Sequence, residues 1–340
     1  MAKSFHTAVV GATGLVGREM LAVLEERGFP VSQLSLLAST RSVGEVIAWQ
    51  GEDHTVQIAG PDSFAGVDIV LMSAGSAVSE HLAPLATRAG AVVIDNSSQW
   101  RMDPAVPLVV PEVNPEAIGE FKNKRIIANP NCSTIQMVVA LNPLHQEAGL
   151  KRVVVSTYQA VSGKGKAAMD ELASQVSAIF NQRDITMEVF PTRISFNCIP
   201  HIDVFQEDRF TKEEHKMRDE TRKIMGLPDL GVCATCVRVP VFNGHAESVV
   251  AEFDRPISAS RARDLLREGA GLFVHDSLED NGYPTQISCE GSDATLVGRV
   301  REDPSAPNSL AFWCVADNLR KGAASNAVQI AEILARDHLQ

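Results

Sequence analysis

Aromatic residues are scarce: two Tyr, three Trp and 13 Phe make up 5% of the 340 residues. That is too little for the stacked platform on which single-stranded nucleic acid lies. An excess of positive charge is also missing. The 31 Lys and Arg against 42 Asp and Glu leave a net charge of −11, which disfavours nucleic acid as a partner while allowing a local basic pocket for an acidic small molecule. No apolar run approaches the ~18 residues of a membrane span. The opening Met1-Ala2-Lys3-Ser4-Phe5-His6 has neither an apolar h-region nor a small-residue cleavage site, so a cytoplasmic location without membrane association is expected. Six cysteines (132, 198, 233, 236, 289 and 314) are too sparse for a disulfide framework in a chain of this length, and reduced thiols are expected. No metal site is assigned.

What is present is an ordinary globular composition, 45% hydrophobic and 21% charged, at a length that suits two domains. Strand-like runs at His6–Val10 and Val31–Ala38 are followed by apolar runs at Val67–Met72, Ala91–Ile94 and Arg125–Ala128 that are largely continuous, as in buried parallel strands. Helical periodicity separates some of them, notably at Leu15–Arg27 and Val78–Arg88, so a Rossmann-like, doubly wound parallel sheet is expected over residues 1–131. Beyond Cys132 the pattern changes. Helices are expected at Ser133–Ala148 (with Pro143 as a possible kink and Gly149 as its stop), Met169–Phe180 and Lys212–Met225. Strands are expected at Arg152–Gln159, Val232–Val241, Ser248–Phe253, Thr285–Cys289 and Ala311–Ala316. This mixture predicts an α+β second domain over 132–317. Leu319–Leu339 carries Ala323, Ala327, Ile330, Ile333 and Leu334 on one stripe and predicts an amphipathic C-terminal helix, residues 318–340, returning to the N-terminal domain.

Gly11-Ala12-Thr13-Gly14-Leu15-Val16-Gly17 lies where a strand ends and a helix begins. Glycines there let the backbone turn and approach a pyrophosphate, while the exposed helix N–H groups supply positive potential. The G-x-x-G-x-x-G spacing is a variant of the dinucleotide fingerprint. An NAD site usually ends its second strand in an acid that binds the ribose 2′-hydroxyl. Here the strand runs into Ser39-Thr40-Arg41-Ser42 with no acid before Glu45, so NADP is the expected cofactor, with Arg41 and Ser42 on its 2′-phosphate. A solvated turn arginine is the alternative.

In Arg125–Thr134 a strand ends at Ala128, Pro130 prevents its continuation, and Asn131 is an acceptable N-cap for a helix starting near Cys132. A thiol in that first turn meets unpaired N–H groups and the helix dipole, which favour the thiolate. Cys233, Cys289 and Cys314, within apolar strand patterns, and Cys198 read as small buried hydrophobes. Cys233-Ala234-Thr235-Cys236 has redox-motif spacing, but in a strand its two thiols point to opposite faces. A thiolate that attacks an acyl group needs a proton-handling partner. Among nine histidines, His245 alone follows a strand and a turn-permitting Gly244.

With these residues in view, the chain resembles aspartate-β-semialdehyde dehydrogenase of the bacterial type over essentially its whole length. The resemblance is carried by Gly11–Gly17, Asp95-Asn96-Ser97-Ser98-Gln99-Trp100-Arg101, Asn129–Thr134, Tyr158-Gln159-Ala160-Val161-Ser162-Gly163, Arg238-Val239-Pro240-Val241, Gly244-His245 and Asp317-Asn318-Leu319-Arg320-Lys321-Gly322-Ala323-Ala324. It implies a second domain that is both catalytic and dimerising, in a homodimer that associates through its sheet. The activity implied is NADPH-dependent reduction of L-aspartyl-4-phosphate to aspartate semialdehyde with release of inorganic phosphate, in the biosynthesis of lysine, diaminopimelate, threonine and methionine. Cys132 then resembles the nucleophile that forms a thioacyl intermediate, and His245 the acid/base. Gln159 would orient the substrate carbonyl or the histidine, and Arg238 would grip the substrate α-carboxylate in two prongs. Glu213 resembles the residue that holds the amino group, though Glu214 is adjacent and one register slip exchanges them. Lys216, on the same helix face as Glu213, resembles a phosphate ligand, with Arg101 and Asn131 completing that set. Ser162, Gly163 and Asn318 are implied to touch the nicotinamide half.

Taken singly, Arg101 and Lys216 also read as solvated charges. Lys164 and Ala246 stand where many relatives have a small residue and a serine. Two other readings compete. N-acetyl-γ-glutamyl-phosphate reductase shares the chemistry but typically has Asn-Pro-Gly-Cys-Tyr around its nucleophile. A non-catalytic NADP-binding regulator would be signalled by loss of the cysteine or histidine, and both are present.

Overall fold

The computed structural model describes residues 3–279 and 281–339; Met1 and Ala2, which open the segment read for a leader, lie outside them. The chain divides into two compact units, Met1–Asn131 with Ala323–Gln340, and Cys132–Gly322.

The first unit follows the expected alternation: β1 (Phe5–Val10), α1 (Leu15–Glu26), β2 (Val31–Ala38), β3 (Val46–Trp49), β4 (Glu52–Thr55), β5 (Gln57–Ile58), β6 (Ile69–Met72), α2 (Ser76–Arg88), β7 (Val92–Asp95) and β8 (Ile126–Ala128). Six strands form a wholly parallel sheet in the order β5-β2-β1-β6-β7-β8. Strand order reverses beside β1, where a doubly wound sheet opens a ligand crevice at its carboxyl ends. β6, β7 and β8 are buried throughout, which explains their unbroken apolar runs. The core joins Val9, Leu24, Ile69 and Ile94 to Ala327, Ile330 and Leu334 of the C-terminal helix, Ser325–Asp337. Leu319–Leu339 is thus not one helix: a π-helical turn, Arg320–Ala324, precedes it.

The second unit contains α3 (Cys132–Ala148), β9 (Leu150–Gln159), α4 (Lys166–Phe180), α5 (Lys212–Met225), β10 (Gly231–Arg238), β11 (His245–Phe253), α6 (Ala259–Glu268), β12 (Leu272–Val274), β13 (Thr295–Glu302) and β14 (Ser309–Ala316). Its sheet runs β10-β9-β11-β14-β13-β12. The sheet is mixed: β10/β9 and β12/β13 pair parallel, the central pairs antiparallel. α3 runs unbroken through Pro143 and stops at Gly149, whose φ is +72°. Met137, Leu141, Leu144, Met217 and Leu266 of α3, α5 and α6 pack on Val153, Val155, Val249, Ala251 and Phe312 of the sheet.

Three expectations need correction. Thr285–Cys289 is not a strand; a 3-10 turn occupies Ile287–Cys289. The Ser288 and Thr285 side chains bond each other's backbone N–H (Thr285 N–H to Ser288 Oγ, 2.7 Å), a local pattern that competes with a ladder. Cys233 and Cys198 are exposed, not buried, Cys233 because it points outward from the edge strand β10 while Cys236 points in. The β3–β4 hairpin, α6, β12 and β13 fall in stretches where no element is expected.

Candidate active site

Side chains alternate along a strand, so the face of the second sheet that packs on α3 can be followed along three neighbours. On β9 it passes from Val153 and Val155 to Thr157 and Gln159, on β10 from Ala234 to Cys236 and Arg238, and on β11 from Ala251 and Val249 to Glu247 and His245. Register sets Arg238 beside Gln159 and Thr157 between Cys236 and Glu247. The apolar core therefore gives way to buried polar groups at one end of the sheet, and α3, which carries Cys132 as its first residue, packs on β9, β11 and β14.

His245 is fully buried. The Ala160 N–H donates to its Nδ1 at 3.1 Å, so the neutral ring carries its proton on Nε2. That Nε2 has no partner. Burial first, and then the Arg238 guanidinium, push its pKa down to about 3, against a pull upward from Glu213. Arg238 is itself buried and donates from Nη1 to the Ala160 carbonyl at 2.6 Å. Both groups crowd Gly163, where a Cβ would lie 2.9 Å from Arg238 Nη1 and 3.1 Å from His245 Nε2. Arg238 also feels the charge of Cys132, which joins the thiol and the imidazole in one cluster.

Cys132 is half-buried, unlike Cys236 and Cys314, whose thiols burial pushes well up, and Cys289, pushed up to about 12. Its backbone lies close to Gly322, where a Cβ would stand 2.8 Å from Cys132 Cβ. Gly322 is a site residue that sequence reasoning missed, although it lies inside a quoted motif.

The two adjacent glutamates have different surroundings. Glu214 is committed to a capping box, accepting from the Thr211 N–H (2.7 Å) while Thr211 Oγ1 accepts from its own N–H (3.3 Å), and it also accepts from the Cys236 N–H (3.0 Å). Glu213 turns into the cluster. It accepts from Gln159 Nε2 at 3.1 Å and pairs with Lys216 at 3.0 Å. Lys216 also pairs with Asp203 at 2.8 Å; burial alone would lower its pKa, but Glu213 and Asp203 more than reverse this. The cluster holds an acid, two cations, a thiol and a neutral imidazole, chemistry that suits a zwitterionic acyl substrate.

Asn318 is buried and bridges two loops. Its Oδ1 accepts from the Gly244 N–H (2.9 Å) and its Nδ2 donates to Ser162 Oγ (2.9 Å). Gly244 has φ +83°, the turn expected before His245, and a Cβ there would meet Gln286 O at 2.7 Å. Gln286 Nε2 donates to the Tyr158 and Gly244 carbonyls (2.9 and 2.7 Å) and so ties the histidine loop to β9.

In the first unit, Gly11 takes φ +81°, and a Cβ there would collide with the Ser73 carbonyl, as one at Gly17 would with the Gly11 carbonyl. Thr13, Gly14, Leu15 and Val16 follow on the strand–helix turn, with Gly14 as the N-cap of α1. This cradle, which side chains would fill, fits a dinucleotide pyrophosphate. Thr13 Oγ1 donates to Ser42 Oγ at 3.1 Å, and Arg41 is exposed beside it. Arg101 is buried, donating from Nε to the Asn129 carbonyl (2.9 Å) and from Nη2 to the Asn96 carbonyl (2.7 Å). Asn326 Nδ2 donates to Asn129 Oδ1 (2.7 Å), pinning the segment that leads into the buried Asn131.

Two family models match the chain: one described as semialdehyde dehydrogenase, NAD binding domain, over residues 6–121, and one described as semialdehyde dehydrogenase, dimerisation domain, over residues 141–321. The sequence is 55% identical over 337 residues to the aspartate-semialdehyde dehydrogenase of Aquifex aeolicus (strain VF5), covering 98% of this chain and 99% of that protein. The fold is similar to the crystal structure of aspartate semialdehyde dehydrogenase II from Vibrio cholerae complexed with ASA, with a TM-score of 0.97, 50% identity and coverage of 99% and 100% of the two chains. It is also similar to the aspartate semialdehyde dehydrogenase with NADP from Candida albicans, with a TM-score of 0.76, 27% identity and 98% of each chain covered. No helix among the described residues is long and apolar enough to cross a membrane.

Proposed function

The chain belongs to the aspartate-semialdehyde dehydrogenase family, and from that premise we propose that it reduces L-aspartyl-4-phosphate to L-aspartate 4-semialdehyde with NADPH through a thioacyl intermediate on Cys132. The observation that carries this reading is the cluster in the second unit: a half-buried thiol at a helix start, a neutral imidazole with a free Nε2–H, and Arg238, whose guanidinium feels the charge of the first and acts on the second. The Cys132 thiolate attacks the acyl carbon, and the bond to phosphate breaks with its electron pair leaving on the phosphate oxygen, which takes a proton from solvent. A nicotinamide cofactor, once bound, would supply the hydride that the thioester carbon accepts. His245 donates from Nε2–H to the carbonyl oxygen as negative charge accumulates there, preorganised by the Ala160 N–H and by burial. Collapse of that charge expels Cys132 as the thiolate, ready for another cycle. In this account the ring holds its proton instead of relaying it, a narrower role than acid/base.

Arg238 binds the substrate α-carboxylate, Glu213 its ammonium, and Gln159 orients the carbonyl. Lys216, and in the first unit Arg101 and Asn131, serve phosphate. Gly11, Thr13, Gly14, Leu15, Val16 and Gly17 cradle the pyrophosphate, Arg41 and Ser42 take the 2′-phosphate, and Ser162 and Gly163 line the nicotinamide. Asn318 acts on that loop from behind, through Ser162 and Gly244. The buried Glu213 carboxylate favours a free ammonium over the acetylated amine of the γ-glutamyl analogue. The dimerisation-domain match supports a homodimer, joined through the sheet face that bears Tyr158 and Trp313, whose rings meet at 5.3 Å.

The test is oxidation of L-aspartate semialdehyde with NADP(+) or NAD(+), with and without phosphate, beside N-acetylglutamate semialdehyde. Turnover is expected to require phosphate or arsenate and to favour NADP(+) and the unacetylated aldehyde. Equal rates without phosphate, or preference for the acetylated compound, would overturn the assignment.

A further inference from the structure

One buried carboxyl has no part in the chemistry above. Glu247 lies two residues beyond His245 on β11, so both side chains face α3. On α3, Gln136 follows Cys132 by one turn and shares its side of the helix. The two elements thus present two rungs: Cys132 with His245, and beneath them Gln136 with Glu247. Glu247 is fully buried. Its Oε2 accepts from the Cys314 thiol at 3.4 Å, while its Oε1 and the Gln136 Nε2 are both buried without a partner. Orphans of this kind are rare and costly in native interiors, and here they belong to side chains near enough for the amide to act on the acid's proton.

We propose that Gln136 and Glu247 form a buried amide–carboxylic acid pair that locks the first turns of α3 onto β11, making Glu247 a positioning residue for Cys132 and His245; this rests on the reading of those two as the reacting groups. The groups facing Glu247 support a neutral acid. They are Gln136 and Cys132 on α3, Cys314 opposite it on β14, Thr157 opposite it on β9 with Cys236 beyond on β10, and His245 on its own strand. Burial drives the pKa up to about 8, and the Cys314 thiol and the Gln136 amide pull it back. A carboxylate here would lack the paired charge that buried ions need, whereas the acid supplies an O–H to the pair. Above about pH 8 ionisation would set an unpaired charge beneath the reactive rung and disturb its geometry.

The expected alkaline limb in the pH profile of kcat lies near pH 8. Glu247→Ala should cut kcat by about 10²-fold with KM much less affected, as misplacement of about 1 Å does. Glu247→Gln, an isostere of the neutral acid, should restore most of that loss and remove the alkaline limb. Infrared spectra of the wild-type protein should show a protonated-carboxyl C=O band at neutral pH that disappears on titration through about pH 8. An alkaline limb unchanged in Glu247→Gln, or no rescue by a folded Glu247→Gln, would overturn the proposal. So would the absence of a titrating band, which decides the matter even if the variants fail to fold. The infrared measurement reads the acid itself, so its failure is distinguishable from failure of the role given to Cys132.

Discussion

Cys132→Ala is expected to lower turnover by at least about 10⁴-fold, as loss of a nucleophile does, while NADPH affinity stays within about twofold. Four of the other five thiols are unfit to substitute. Cys236, Cys289 and Cys314 are buried with raised pKa values, and Cys233 projects from the outer face of an edge strand. Cofactor affinity is spared because Gly11 and Gly17 form their cradle from backbone contacts within the first unit, which the substitution leaves alone. Steady-state turnover and fluorescence titration with NADPH check both halves. Retained turnover would remove the sulfur from the mechanism, and lost affinity would point to misfolding.

His245→Gln is expected to lower kcat by about 10²–10³-fold, the usual cost of losing one preorganised donor to a developing oxyanion, with a smaller change in KM. Its pH behaviour separates this role from that of a general base near neutrality. With a pKa held at about 3 by burial and by Arg238, the ring stays neutral across the working range and adds no acid limb to kcat/KM between pH 5 and 7. The same shift links to stability. The folded-state value lies below the unfolded one of about 6.5, so the unfolded chain binds the extra proton between them. Stability due to this ring is therefore full above pH 6.5 and is lost as pH falls toward 3. Urea midpoints of the wild type should fall relative to those of His245→Gln over that window. An acid limb near pH 6.5 that vanishes in the variant would contradict the neutral-donor role.

Much of this was legible in the residues themselves. Continuous apolar runs such as Ala91–Ile94 announced a buried parallel strand, Lys212–Met225 has the helical bounds its pattern predicts, and Pro130 before Cys132 marked a helix start. Local chemistry misled where two signals were read as one. Thr285–Cys289 has strand-like residues, but hydroxyls three apart closed a turn. The Glu213/Glu214 ambiguity had a signal within reach, because Thr211 and Glu214 have capping-box spacing, leaving Glu213 for the cluster. Glu247 and Gln286 were not readable in advance: a glutamate in an alternating strand reads as solvated until α3 is known to cover it, and Gln286 acts through carbonyls 128 and 42 residues away in sequence. Gly322 needs its place against Cys132 for its lack of a side chain to matter.

The central claim is a covalent acyl group on one sulfur. Enzyme mixed with L-aspartate semialdehyde and NADP(+) in phosphate-free buffer, quenched in acid and digested, should show by mass spectrometry one aspartyl group on the peptide that follows Arg125, released by hydroxylamine and absent after phosphate is added. Reduction of the cofactor with no adduct on that peptide, or with the adduct on another residue, would contradict it.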